Sequence, residues 1–437
     1  MPNCTKETLN FTSLGRRNIT ANFDGGHITS DAGSLLLREI DHHLGLTDAA
    51  AKCIPDDRQQ SKVKHSVTNM LKQRVYGLCL GYEDLNDHNN LRNDIALQTA
   101  CSTDLALASS STLCRYESKS SRKMLFDIHK VIFEQFIQSF KSVPYELVLD
   151  FDATDSTIYG NQQGRFYQGY YGDYCFLPLY VFCQDQLLIS YLRPANQDPA
   201  LHAWAILSLL VKGIRKHFPN TKIVFRGDCG FCRHKIFNWC EKHSVDYIVG
   251  LPKNKRLERQ FDLLNSAAEY SYKYTNKKSR MFSEGYYQAG SWKRKRRVIA
   301  KCEYTEKGSN FRLIVTSLRN DPQRLYDHKY CARGDMENRI KEQQLGLFAD
   351  RTSASLWWSN QFRLLLSGLA YILLNALRKT CLNKTILQKA YVSTIRNKLL
   401  KVAAVVIRNT RSIKLFISSA YPYKKYFTKI ANHFVPT

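Results

Sequence analysis

Apolar positions recur along the chain with a period that changes three times, and those changes mark its organisation. Residues 24–46, DGGHITSDAGSLLLREIDHHLGL, pass from a glycine-rich turn through Ser30 and Asp31, both suited to capping, into an amphipathic helix. Residues 60–82 and 122–140 repeat the helical period, with turn-rich text such as GYEDLNDHNN between them. STLCRYESKSSRK, 111–123, brings hydroxyl and basic side chains into a helix start, where backbone N–H groups can meet a phosphate. The segment 1–140 therefore reads as a helical, DNA-binding region, and the same pattern also suits a purely structural bundle.

At Pro144 the period shortens to that of strands. LVLDFD (147–152), FLPLYVFC (176–183), QLLISYL (186–192), KIVFRGD (222–228) and DYIVGL (246–251) are short, apolar and rich in β-branched or aromatic residues. The first three are close enough for an antiparallel meander. The helical LHAWAILSLLVKGIRKHF precedes the fourth, and another helix fits after Cys232. Meander strands followed by strand–helix–strand units describe a mixed, five-stranded α/β sheet, with residues 141–252 as the first part of a core.

From Lys253 the period is lost in charged text, with weak strands such as RVIAKCEY and FRLIVTSL. A connection of this length is not a structureless loop in a compact domain, so residues 253–325 are expected to form a β-rich insertion subdomain. Helical periodicity resumes at 330, which makes 326–380 the second part of the core and 381–437 a helical C-terminal region. The run LLLSGLAYILLNAL at 364–377 is too short to span a bilayer and reads as a buried helix.

Composition then narrows the function. The 437 residues suffice for two or three domains, and a hydrophobic fraction of 44% excludes a disordered chain. Lys and Arg number 64 against 38 Asp and Glu, a formal charge of +26. An excess of that size repels itself in the folded state, so a polyanionic partner is the reason to keep it, and Tyr, Phe and Trp interleave with the basic residues as nucleic-acid binding requires. The polar start MPNCTKETLN lacks the apolar core of a signal peptide, and thirteen cysteines without framework spacing suit reduced thiols in a cytoplasm. Cys229, Cys232, Cys240 and His243 have outer pairs at metal-ligand spacing, but the middle gap is short for a zinc finger and buried apolar cysteines explain the pattern as well.

Candidate chemistry lies in the carboxylates. Alternation along LVLDFDATD puts Leu147, Leu149 and Phe151 on one face and Asp150 and Asp152 on the other, near the strand exit where α/β sheets place their sites. Asp228 closes IVFRGD in the same way. Either aspartate alone could simply cap a turn; two at the ends of neighbouring apolar strands suit Mg²⁺, which favours clusters of carboxylate oxygens. In YCARGDMENRIKEQQ, residues 330–344, a helix would set Tyr330, Arg333, Glu337, Lys341 and Gln344 on one polar stripe. The stripe spans an arc of roughly 80°. It is either a solvated face with i,i+4 ion pairs or the third carboxylate of a two-metal site, with Arg333 and Tyr330 holding phosphate.

These residues carry a resemblance. Y-x2-R-x3-E at 330–337, DATD at 152–155 and RGD-x-GF at 226–231 resemble the three catalytic segments of the DDE transposases of bacterial insertion sequences, in the branch with a YREK signature. SDAGSLLLRE (30–39), GYEDLNDHNNLR (81–92), STLCRYE (111–117) and WWSNQFRLLLSGLAY (357–371) are similar to the insertion-sequence 1380 group, so the resemblance covers nearly the whole chain. It implies a ribonuclease H-like catalytic core with a β insertion, flanked by helical N- and C-terminal regions. It implies cut-and-paste transposition, with Mg²⁺-dependent cleavage and strand transfer for which Mn²⁺ substitutes.

The resemblance maps the catalytic, metal-holding positions onto Asp152, Asp228 and Glu337, with Asp150 competing for the first; Tyr330 and Arg333 match the signature, while its Lys is replaced by Gln344, three residues beyond Lys341. Partners implied are double-stranded DNA, as terminal inverted repeats and target, and a second protomer pairing the ends, in a nucleoid-associated cytoplasmic protein without a membrane. In the insertion, Trp292 before KRKRR (293–297) suits an unstacked base held beside phosphates, with Arg294 and Arg296 as contacts, and packing explains Trp292 equally. Lys253, Lys255 and Arg256 are further candidates for backbone contact. A host DNA nuclease of the same fold without strand transfer, and a catalytically decayed DNA-binding copy, remain the competing readings.

Overall fold

The computed structural model describes residues 8–434. The chain divides into two compact units, one running through Lys119 and resuming at Leu369, the other comprising Ser120–Gly368. No helix among the described residues is long and apolar enough to cross a membrane.

In the first unit the expected helices form at Ser34–Leu44, Val67–Leu80 and Ser110–Ser118. Ser66 caps the second by accepting from the Asn69 amide. Asp31 does not cap the first: it is buried, accepts the Tyr82 hydroxyl at 2.7 Å and pairs with Lys401 at 2.8 Å. The expectation of a helical region at 381–437 holds at Val392–Ile395 and Lys424–Phe434 and is corrected between them. Ala404–Arg408 and Ile413–Ile417 are paired strands, and the first also pairs with Ile28–Thr29. Their β-branched alternation, buried at Ala404 and Val406 and exposed between, is a strand period that the flanking charges obscure.

The second unit is built on one mixed sheet. Its elements are α1 (Arg122–Gln138), β1 (Glu146–Ala153), β2 (Leu179–Cys183), β3 (Gln186–Tyr191), α2 (Ala203–His217), β4 (Lys222–Gly227), α3 (His234–Lys242) and β5 (Asp246–Gly250). Then follow α4 (Asp262–Thr275), β6 (Ser279–Tyr287), β7 (Arg296–Thr305), β8 (Gly308–Thr316), α5 (Arg333–Lys341) and the start of α6 (Trp357–Thr380), whose residues from Leu369 belong to the first unit. The strand order is β6-β7-β8-β5-β4-β1-β2-β3. β1, β4 and β5 run parallel, and β2 and β3 complete the meander in antiparallel fashion.

Eight strands replace the expected five. The insertion does not make a separate β layer, because β8 pairs with β5 in antiparallel register, Gly250 against Ile314, and carries the sheet onward. This pairing covers the edge that β5 would otherwise expose. Val298, Ala300, Leu313 and Val315 then continue the core that Leu147, Phe225 and Val249 begin, on the face covered by α1, α2 and α3. β6 escapes a local reading because SRMFSEGYY is half-exposed and lacks a continuous apolar run.

The opposite face matters for function. Val148, Val224, Ile248, Ile299 and Ile314 form a second, smaller cluster, packed by Leu325, Tyr326 and Tyr330. By alternation Asp150, Asp152 and Arg226 belong to this face. The segment leading into α5 therefore lies on the side of the sheet where the carboxylates emerge.

Candidate active site

Three backbone elements deliver the side chains. β1 brings Asp152, directly paired with Tyr180 of β2. β4 ends at Gly227, and Asp228 follows in a turn where its Oδ1 accepts the Gly230 amide at 2.9 Å. α5 presents Arg333 and Glu337 one turn apart. The turn-capping alternative for Asp228 is thus realised, and it uses one carboxylate oxygen.

The segment carrying Arg333 is fastened to the sheet. Arg226 grips the buried Asp150 through Nε and Nη2, and its guanidinium also donates to the carbonyls of Lys329 and Ala332. Lys329 in turn ion-pairs with Glu146 on β1. Tyr330 lies over Gly250: a Cβ there would come within 2.7 Å of the tyrosine hydroxyl and 2.8 Å of the Cys229 amide nitrogen. Only glycine at the end of β5 permits that approach.

Arg333 occupies the centre. One guanidinium nitrogen stands 3.7 Å from Asp152 Oδ1 and 3.5 Å from Glu337 Oε1. Its Cζ is 5.9 Å from the Tyr330 ring centre. Asp152 is pushed up to about 7 by burial, and the charges of Asp228 and Glu337 add to that while Arg333 opposes it. Burial also raises Tyr330, which feels both Arg333 and Asp228. The structure therefore brings Asp152, Asp228, Glu337, Tyr330 and Arg333 into one electrostatic neighbourhood. Asp150 also feels the Arg333 charge, but both its oxygens are taken by Arg226, which separates two aspartates that alternation alone leaves equivalent.

The donor set suits a hard divalent cation in kind, being made only of carboxylate oxygens around a partly buried aspartate whose ionisation burial disfavours even with Arg333 beside it. In arrangement it is not closed. Among the described residues no group of three such side chains is close enough to enclose a metal ion, and the Arg333 guanidinium lies between Asp152 and Glu337.

The expected helix over 330–344 is α-helical only at Arg333–Lys341. Wider π-helical turns precede it at Leu325–Tyr330 and follow it at Glu342–Gly346. The second turn shifts the phase of the stripe. Lys341 remains exposed, whereas Gln344 turns inward and its amide donates to the Asp155 carbonyl at 3.0 Å.

The insertion residues separate in the same plain way. Trp292 is 5% exposed, packed edge-on against Phe237 and Tyr287, so the base-stacking expectation is corrected in favour of packing. Arg296 is also buried, bound to Glu241 and lying 5.0 Å over the Trp292 ring. Arg294 and Lys253 are exposed, Arg294 pairing with Glu241 as well. Cys240 belongs to the core, and His243 stacks on Trp239 at 4.3 Å, the non-metal use of that cluster. Arg226 and Gly250 received no role from the sequence, although the alternation of KIVFRG sets Arg226 on the face of Asp150.

Residues 11–436 match the family model described as "Transposase DDE domain group 1". No curated protein matches the chain. Among solved structures it is similar to the cryo-EM structure of a piggyBac transposase synaptic complex with hairpin DNA, at 11% identity over 84% of this chain and 80% of that one, with a TM-score of 0.42.

Proposed function

The chain belongs to the transposase DDE domain family, group 1, and from that premise we propose that it cleaves the ends of a mobile DNA element and transfers them to a target. The finer assignment, to a ribonuclease H-like enzyme of the insertion-sequence 1380 group acting as a dimer on paired inverted repeats, belongs to the same proposal. The observation that carries it is Arg333 within ion-pair range of both Asp152 and Glu337, with Asp152 and Asp228 at the exits of two paired parallel strands.

Asp152, Asp228 and Glu337 would hold Mg²⁺, or Mn²⁺ in its place. Divalent ions bound there would supply the positive charge that in-line phosphoryl transfer requires at the attacking and departing oxygens. The chain's own groups then have defined work. Arg333, within ion-pair range of two carboxylates, offers its remaining N–H donors to a non-bridging phosphate oxygen. Tyr330, seated on Gly250, fixes the approach of the strand beside Asp228. Lys341, Lys253 and Arg294 are exposed and contribute charge to the DNA backbone.

Asp152→Asn, Asp228→Asn and Glu337→Gln test this on DNA flanking the coding region. Each variant should bind that DNA and fail to nick it with Mg²⁺ present; nicking by any one of them removes that residue from the site. The Gln344 departure favours one competing reading, a decayed DNA-binding copy, which metal-dependent cleavage of any DNA by the native chain would exclude. Joining of a pre-cut 3′-OH end to a plasmid distinguishes a transposase from a nuclease.

A further inference from the structure

The sequence's own candidate for base stacking, Trp292, is buried, yet a different set of aromatic rings is open to solvent beside the carboxylates. After β1 the chain forms a small three-stranded sheet of Ser156–Thr157, Phe166–Gln168 and Asp173–Phe176. Between residues 159 and 174 it exposes Tyr159 at 93%, Tyr167 at 58%, Tyr170 at 87% and Tyr174 at 47%. Tyr167 and Tyr174 are paired across the hairpin and meet edge-on at 5.7 Å, with the Arg165 guanidinium 4.8 Å over the Tyr174 ring. Tyr170 and Tyr171 meet edge-on at 5.0 Å at the tip.

This surface is held firmly. Phe176 is fully buried and packs on Trp357 at 5.2 Å, the Gln163 amide donates to Ser355, and Gln168 donates to the Ala195 carbonyl at 2.7 Å. Exposed rings on a fixed scaffold mark a binding face, not a frayed loop. The face is joined to the site through the backbone: Ser156 and Thr157, just past Asp152 and Asp155, pair with Phe176 and Cys175 of this sheet. At its other end Tyr159 borders a cleft of about 330 Å³, lined also by Asp155, Thr157 and Gln344, within the size range of small-ligand pockets.

We propose that the tyrosine hairpin and this cleft bind a short unpaired stretch of the DNA strand whose phosphodiester lies at Asp152, its bases stacking on Tyr167 and Tyr174. The proposal rests on the reading above. Duplex DNA keeps its internal base faces stacked, so unpaired bases use open rings without the cost of unstacking; stacking on tyrosine is sequence-tolerant, as an enzyme meeting varied flanking DNA requires. Arg165 and Asp173 are the only charges from 159 to 174, so the hairpin itself offers base contact while the chain's charge of +26 attracts the backbone.

The test uses the full chain and two probes, a blunt duplex and the same duplex with a short single-stranded extension carrying 2-aminopurine. The native protein should bind the extended probe about tenfold more tightly or better and quench its fluorescence. In Tyr167→Ala/Tyr174→Ala that ratio should fall towards one with the quenching lost, while Tyr167→Phe/Tyr174→Phe retains both. An alanine variant that keeps the ratio overturns the proposal. So does one whose only change is dissociation of a dimer, since the face would then receive a second copy. Cleavage of end DNA by the native chain is scored in parallel: cleavage without a hairpin-dependent ratio defeats the platform alone, and a hairpin-dependent ratio without cleavage defeats the transposase reading alone.

Discussion

Arg226 and Asp150 sit directly across the parallel pairing of β4 and β1, and the guanidinium that binds the carboxylate also reaches the carbonyls of Lys329 and Ala332. A buried pair is here also the strap that holds the segment leading to Arg333. Removing one partner leaves a buried charge, so Asp150→Asn or Arg226→Gln should lower unfolding stability by about 3–5 kcal/mol in urea titrations. Asp150→Leu/Arg226→Met should recover much of that loss, because an apolar pair of similar volume is tolerated. It should not recover nicking, since the two carbonyls would still lack their donor. Full recovery of nicking in the double variant would show that the strap has no positioning role.

Asp152 predicts a pH dependence of opposite sign to that of an ordinary salt-bridged aspartate. Its folded-state value of about 7 lies above the 3.8 of an unperturbed aspartate, so the folded chain binds the extra proton. Stability linked to that proton is fully present below the unfolded value and is lost as pH rises through the folded one. In chelator-treated protein, Asp152→Asn should therefore match the native chain near pH 4 and exceed it increasingly up to about pH 7, with the gap level above. Thermal unfolding at a series of pH values measures this. Added Mg²⁺ should narrow the gap at pH 8 by stabilising only the native chain; an unchanged gap counts against ion binding at Asp152.

Much of this was legible in the sequence, and what was not has identifiable causes. The strands ending in Asp152 and Asp228 announce themselves because their apolar alternation is local. Alternation could not choose between Asp150 and Asp152, which share a face; only the tertiary partner Arg226 separates them. The Arg333–Glu337 relation follows from helical spacing, whereas the position of Gln344 depends on a π-helical turn that a uniform period does not contain. Trp292 beside a basic run has the same local text whether buried or exposed. That the insertion extends the sheet depends on β8 meeting β5, a pairing set by positions 250 and 314 far apart in the chain.

Gly250 should be sensitive beyond its size. A methyl group there meets both a movable group, the Tyr330 hydroxyl, and a fixed one, the Cys229 amide next to Asp228. Overpacking of this kind costs about 1–3 kcal/mol. Gly250→Ala should thus lower both stability and nicking. Adding Tyr330→Phe should restore some stability by removing the nearer clash, yet the backbone contact stays, so nicking should remain low.

Within the insertion, burial sorts residues that look alike in sequence. Trp292→Ala removes a ring packed on Phe237 and Tyr287 and should cost about 3–5 kcal/mol. Arg296→Ala should destabilise too, because Glu241 would lose its buried ion-pair partner. Arg294→Ala, exposed, should leave unfolding nearly unchanged and flatten the salt dependence of DNA binding instead. A stable Trp292→Ala protein with selectively lost DNA affinity would reverse this assignment.

Gln344 offers a gain-of-charge test at the position where the signature has lysine. Its amide donates to the Asp155 carbonyl, and a lysine there keeps a donor for that oxygen while adding a cation beside the DATD turn. One added phosphate contact steepens the plot of log affinity against log salt by about one unit. Gln344→Lys should therefore show that change on end DNA and cleave faster at low salt, where the new contact acts on the strand at Asp152. Lys341→Ala, on the exposed side of the helix, should move the slope by a similar amount in the other direction. An unchanged slope for Gln344→Lys would mean that this side of the turn faces the protein alone. The missing lysine would then cost the enzyme nothing, because its place is already filled by the bond to Asp155.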